Sequence, residues 1–134
     1  MDDRVVGAIG RGILVLLGVA PDDDVAAAGA MARRVVDLRI HADAEGRTNL
    51  ALADVGGSVL AVSQFTLYAD TRRGRRPGFA DAAEPGHAAA IYDCFCAALS
   101  ELGMPPERGV FGASMEVELV NDGPFTIWLD TAAR

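Results

Sequence analysis

From Pro85 onward the apolar residues Ala88, Ile91, Tyr92, Phe95, Leu99 and Leu102 fall at i, i+3, i+4, i+7, i+11 and i+14, with Gly103 as the stop. That stripe predicts a long helix. A second helix is predicted from the N-cap candidates Asp22 to Asp24 through Val25, Ala28, Ala32, Val35 and Val36 to about Asp37. Elsewhere the apolar residues come in strand-length runs. Arg4 to Ile9, Gly10-Arg11-Gly12 and Ile13 to Val19 read as a hairpin whose second strand is buried on both faces. Leu38 to Ala42 and Thr48 to Leu52 read as strands joined by Asp43-Ala44-Glu45-Gly46, and Gly56-Gly57 leads into a strand from Ser58. Met115 to Val120 and Phe125 to Leu129 complete about seven strands. Strands that outnumber helices, mostly joined by hairpins, predict an α/β fold with a mixed, strongly curved sheet and two long helices packed outside it.

At 134 residues, with no linker, repeat or low-complexity tract, residues 1–134 fit a single domain able to bury roughly two-thirds of its unfolded surface. No apolar run approaches the length of a membrane span, and the start Met1-Asp2-Asp3 is acidic where a secretory signal would be basic. The expectation is a soluble, cytoplasmic protein.

Several chemistries drop out on residue types alone. The chain has no lysine, which excludes a Schiff base and the Walker-type phosphate lysine. Cys94 and Cys96 lie two apart on the long predicted helix, so their side chains diverge and cannot form a disulfide or share a metal. Neither His41 nor His87 has the neighbours zinc needs. No metal and no cofactor is expected. A net charge of -7 argues against broad, non-specific nucleic-acid binding, so a polyanion would have to meet a local patch. Arg72, Arg73, Arg75 and Arg76 around Gly74 form one, with Asp70 the only nearby opposition. Guanidinium groups suit the bidentate geometry of phosphate.

Two polar segments interrupt apolar stretches. Ser63-Gln64-Phe65-Thr66 ends the run Val59 to Val62, bringing hydroxyls and an amide that burial penalises unless each is paired. Asn121-Asp122-Gly123-Pro124-Phe125-Thr126 separates the last two predicted strands. Gly123 admits backbone angles that other residues resist, and Pro124 fixes a dihedral and removes a donor, giving a rigid projection rich in free carbonyls. Alone, the Gly-Pro reads as an ordinary turn. No Ser-His-Asp set or paired acids stand beside either segment. What remains is a site of hydroxyls, an amide and backbone groups, suited to orienting a labile ester and stabilising an oxyanion.

These two segments match the signatures Ser-Gln-Phe-Thr and Asn-x-Gly-Pro-x-Thr, and the chain resembles the D-aminoacyl-tRNA deacylases. The likeness extends to the Gly-rich opening, the Asn49-Leu50 strand, Arg75-Arg76-Pro77-x-Phe79 and Phe111-Gly112-Ala113. It implies a barrel-like sheet and a homodimer, with active sites at the subunit interface, that hydrolyses the ester between a D-amino acid, or glycine, and the 3′-terminal adenosine of tRNA. It implies that the Gly123-Pro124 peptide is cis, enters the partner's pocket and selects chirality with its carbonyls, while Asn121 and Thr126 shape the loop. Ser63, Gln64, Phe65 and Thr66 would form the catalytic floor, Thr66 by positioning because no base activates it. Arg72, Arg73, Arg75, Arg76 and Phe79 would meet tRNA. Family members usually begin with a further strand whose Gln-Arg pair supports the Gly-Pro loop, and its loss would expose a sheet edge. The alternative is a catalytically impaired module that binds aminoacyl-tRNA ends; a general small-molecule esterase is a third reading.

Overall fold

The structure is a computed structural model that describes residues 3–131. Both predicted helices are present. The first, α1, runs Val25–Asp37, and Asp24 caps it by accepting a hydrogen bond from the Ala27 N–H at 2.8 Å. The second, α2, runs Pro85–Glu101; the Glu84 carboxylate accepts from Gly86 and His87 N–H groups, and Gly103 ends the helix at φ 81°. The strands are β1 Gly12–Leu17, β2 His41–Ala42, β3 Thr48–Leu50, β4 Ser58–Ser63 and β5 Glu107–Arg108. Short 3₁₀ turns cover Ala53–Val55 and Phe65–Tyr68.

The pairing departs from the hairpin expectation. β1 lies parallel to β4, from Gly12 opposite Ser58 to Leu17 opposite Ser63, and β5 lies parallel to the other edge of β4. The order is β1-β4-β5, with α1 in the first crossover and α2 in the second. A continuous apolar run such as Ile13 to Leu17 is what a strand between two covered faces requires, and parallel strands live in that setting. Residues 4–9 form no strand. Gly7 instead approaches Arg108 so closely that a Cβ there would stand 2.7 Å from the Arg108 carbonyl oxygen. β2 and β3 form a separate antiparallel pair, as the Asp43 turn predicts. Asp43 fastens that turn by accepting from the Glu45 and Arg47 N–H groups and from Asn49 Nδ2.

Two further strands are corrected. Met115 to Val120 and Phe125 to Leu129 alternate like strands, yet neither forms a backbone ladder among the described residues. Alternation supplies a face for burial but no hydrogen-bonding partner, and a strand needs both. The described residues therefore hold five strands and no closed barrel.

Both helices pack on one face of the parallel sheet. Val59 and Ala61 of β4 point into a core with Ala28, Ala32 and Val35 of α1 and Ile91, Tyr92, Phe95 and Leu99 of α2. Tyr92 is buried there and satisfies its hydroxyl by donating to the Ala61 carbonyl at 2.7 Å. Leu14, Leu16, Leu60 and Val62 alternate with these core positions, and the register places Leu14 beside Leu60 and Leu16 beside Val62. Residues 115–131 pass beside this part of the sheet, leaving a cavity of about 1520 Å³. No helix among the described residues is long and apolar enough to cross a membrane.

Candidate active site

The first polar segment begins where β1 and β4 end together. Leu17 is the last residue of β1, and its carbonyl accepts from the Gln64 N–H at 2.8 Å, turning the chain out of the sheet. Phe65–Tyr68 then makes the 3₁₀ turn. Gly18 gives that turn room, since a Cβ at this position would stand 3.1 Å from the Tyr68 ring and 3.2 Å from Leu67 Cβ. Gly18 was not legible as a site residue, because only the crossing of two distant segments creates the crowding. Burial, with Asp23, Asp130 and Asp22 nearby, pushes the Tyr68 phenol pKa up and keeps it neutral.

Ser63 and Gln64 are half-buried, while Phe65 and Thr66 face solvent. Gln64 Nε2 donates to Thr66 Oγ1 at 2.6 Å. An amide cannot remove the hydroxyl's proton. The bond occupies a lone pair of Thr66 and leaves its O–H free to donate outward, which suits a positioning or oxyanion-stabilising group better than a nucleophile. Phe65, 55 % exposed, meets Phe79 edge to face, with centroids 4.9 Å apart and planes at 68°.

That aromatic contact ties the arginine-rich segment to the site. Asp70 and Gly78 exchange backbone hydrogen bonds of 2.7 and 2.8 Å, closing residues 71–77 into a loop. The four arginines are not equivalent. Arg72 donates to both Asp70 carboxylate oxygens, at 2.9 and 2.8 Å, and also gives Asp70 its backbone N–H. These bonds hold the Asp70 carboxyl at a pKa of about 2. Arg73, Arg75 and Arg76 are exposed and make no hydrogen bond or ion pair among the described residues.

The second segment is closed by one side chain. Asn121 Oδ1 accepts from the Phe125 N–H at 2.7 Å, and Asn121 Nδ2 donates to Thr126 Oγ1 at 3.0 Å. Both ends of the motif are thus clasped around Gly123 and Pro124. The Gly123–Pro124 peptide is cis, and Gly123 sits at φ 131°, a region that side-chain-bearing residues rarely enter. The whole segment is exposed.

Within one chain, no hydrogen bond or ring contact joins residues 63–66 to residues 121–126 among the described residues. The cavity beside the sheet reaches Leu67 and Tyr68 at one border and Asn121, Gly123 and Phe125 at another. Among the described residues no group of three or more His, Cys, Asp or Glu side chains could hold a metal ion.

The model of the family described as D-Tyr-tRNA(Tyr) deacylase matches residues 1–130. The chain belongs to this family. It is 57 % identical over 131 residues to a D-aminoacyl-tRNA deacylase of Anaeromyxobacter dehalogenans, covering 98 % of this chain and 88 % of that one. A D-aminoacyl-tRNA deacylase of Roseiflexus castenholzii is 58 % identical over 132 residues, with 98 % and 84 % covered. Among solved structures, the c-Myc DNA unwinding element binding protein superposes with a TM-score of 0.86 at 36 % identity, over 93 % of this chain and 85 % of that one. A probable eukaryotic D-amino acid tRNA deacylase shares the fold at a TM-score of 0.60 and 22 % identity, covering 69 % of this chain and 55 % of the other.

Proposed function

We propose that this member of the deacylase family hydrolyses the ester of D-aminoacyl-tRNA as a proofreading step in translation, with Ser63 to Thr66 as the reaction floor and Gly123-Pro124 as the selector. The observation that carries the mechanism is the Gln64 to Thr66 hydrogen bond. It gives Thr66 a partner that cannot act as a base, so a water oxygen, and not the threonine, attacks the carbonyl carbon. The bond to the ribose oxygen breaks, and the water's proton passes to that leaving oxygen with the substrate's own 2′-hydroxyl assisting. Donors aimed at the oxyanion, from Thr66 and the Phe65 backbone, supply about 100- to 1000-fold each. Selection by main-chain carbonyls at Gly123 and Pro124 leaves no room for an L side chain. Glycine, which has none, passes the same filter, so glycyl-tRNA is a second substrate.

The two segments meet across a homodimer in this reading. Leu119, Val120, Phe125, Ile127 and Trp128 are exposed, Val120 at 93 % and Trp128 at 68 %, beside the Gly-Pro segment. Apolar surface of this kind marks an interaction face, and a second copy that covers it would also receive the loop. A curved, barrel-like sheet is the form this reading expects of the assembled enzyme. Charged tRNA as substrate places the work in the cytoplasm.

The test is release of D-Tyr and L-Tyr from charged tRNA by the purified chain, with its mass in solution measured alongside. Release of D-Tyr with L-Tyr spared supports the reading. Equal cleavage of both enantiomers refutes backbone selection, and saturable binding of charged tRNA without any release identifies a binding module.

A further inference from the structure

The arginine loop carries a charge pattern that its sequence hides. Seven residues, 71–77, project from the Asp70 and Gly78 bridge, and Phe79 just beyond the bridge packs on Phe65 of the reaction floor. The root of the loop is therefore fixed relative to the site, while its tip is fully solvated. Arg72 is turned back on Asp70 through two guanidinium bonds, and Asp81 adds to the negative field around it. Arg73, Arg75 and Arg76 face water without a counter-charge among the described residues. In a chain of net charge -7 these three are a local exception to an acidic surface.

Resting on the function proposed above, we propose that residues 71–77 grip the single-stranded backbone of a tRNA 3′ end through Arg73, Arg75 and Arg76 alone, and that Asp70 sets this strength by holding Arg72 out of the contact. Asp70 thus sets the strength of the grip without touching the RNA. Three guanidinium groups on a short solvated loop suit successive phosphates of a flexible strand, whose terminal nucleotide can then reach Phe65. A fourth free arginine would tighten the hold on any RNA end, aminoacylated or not.

Counterion release makes this countable. Each phosphate neutralised on a single strand contributes roughly -0.7 to the slope of log affinity against log salt. The experiment measures that slope for the full chain with an RNA hairpin that ends in single-stranded CCA. Replacing Arg73, Arg75 and Arg76 together by Gln should make it shallower by about 2, the share of three phosphates. D70N, which frees Arg72, should steepen it by about 0.7. The charge-neutral double variant D70N/R72Q should return it to the wild-type value.

If D70N fails to fold, R72Q decides: a wild-type slope supports the proposal, and a slope shallower by one phosphate's share overturns it. An unchanged slope in the triple variant also overturns it. These failures are distinct from failure of the function, because a chain that deacylates normally yet shows no loop-dependent slope refutes only the loop. A chain that keeps the loop-dependent slope but never releases D-Tyr refutes the reaction and leaves the loop standing.

Discussion

Replacing Asn121 by Ala separates the stability of the fold from the geometry of the proposed selector. The side chain makes two hydrogen bonds, to the Phe125 N–H at 2.7 Å and to Thr126 Oγ1 at 3.0 Å, and all three residues are exposed. Water can replace both partners, so the loss should stay at or below about 1 kcal/mol, the lower end of what two such bonds contribute. For a domain of this length that is a fall in Tm of about 4 °C. The rate should suffer far more. Asn121 is what joins the start of the Gly-Pro segment to its end, and a displacement of about 1 Å in a positioning group costs on the order of 100-fold. Single-turnover release of D-Tyr from charged tRNA, beside a thermal melt, reads both quantities. Thr126→Val keeps the shorter of the two bonds and should lie between wild type and Asn121→Ala. An Asn121→Ala rate within threefold of wild type, with the melt unchanged, would mean that the clasp does not position the selector.

Thr66→Ala should retain measurable turnover in the same assay, since in the proposed mechanism Thr66 positions the substrate and water attacks; a folded variant with none would restore it as nucleophile. Tyr92→Phe removes the buried bond to the Ala61 carbonyl, which still receives the Gly109 N–H at 3.2 Å, so the cost should be about 1 kcal/mol by urea titration. Gly12→Ala should yield no folded protein by circular dichroism, because the added carbon would lie 1.9 Å from the Ser58 carbonyl oxygen in the facing strand. Burial and the Arg11 charge lower the pKa of His41, so below pH 6.5 the unfolded chain takes up a proton that the folded chain resists. Urea midpoints should therefore fall from pH 7 to 5.5, and His41→Gln should flatten that slope. Asp70 acts in a separate window: its contribution is present above pH 3.8 and is lost as the pH falls toward 2.

The parts of the fold that were legible are those decided within a few residues. The Asp24 cap, the Pro85 start, the Gly103 stop and the Asp43 turn each depend on local chemistry, and each stands where the sequence predicts. Which strands pair is decided elsewhere. Gly10-Arg11-Gly12 reads as a hairpin turn, but the run after it pairs with a segment some four dozen residues away, and its apolar character on both faces was the better signal. The stretches 115–120 and 125–129 carry a strand's side-chain pattern without a backbone ladder among the described residues, and no local pattern reveals that lack. At the site, both segments stood out as polar interruptions of apolar runs, and their resemblance to family signatures joined them. The sequence shows four arginines in one short segment; only the direction in which Arg72 turns separates it from the other three.

The reciprocal backbone pair between Asp70 and Gly78 has a modular consequence. A lobe pinned at its neck can exchange its contents without strain reaching the sheet, so, if the loop grips RNA as proposed, variation among the seven enclosed positions is free to retune that grip while the sheet below keeps its shape. On that proposal, affinity for the carrier and discrimination of handedness would evolve on separate schedules.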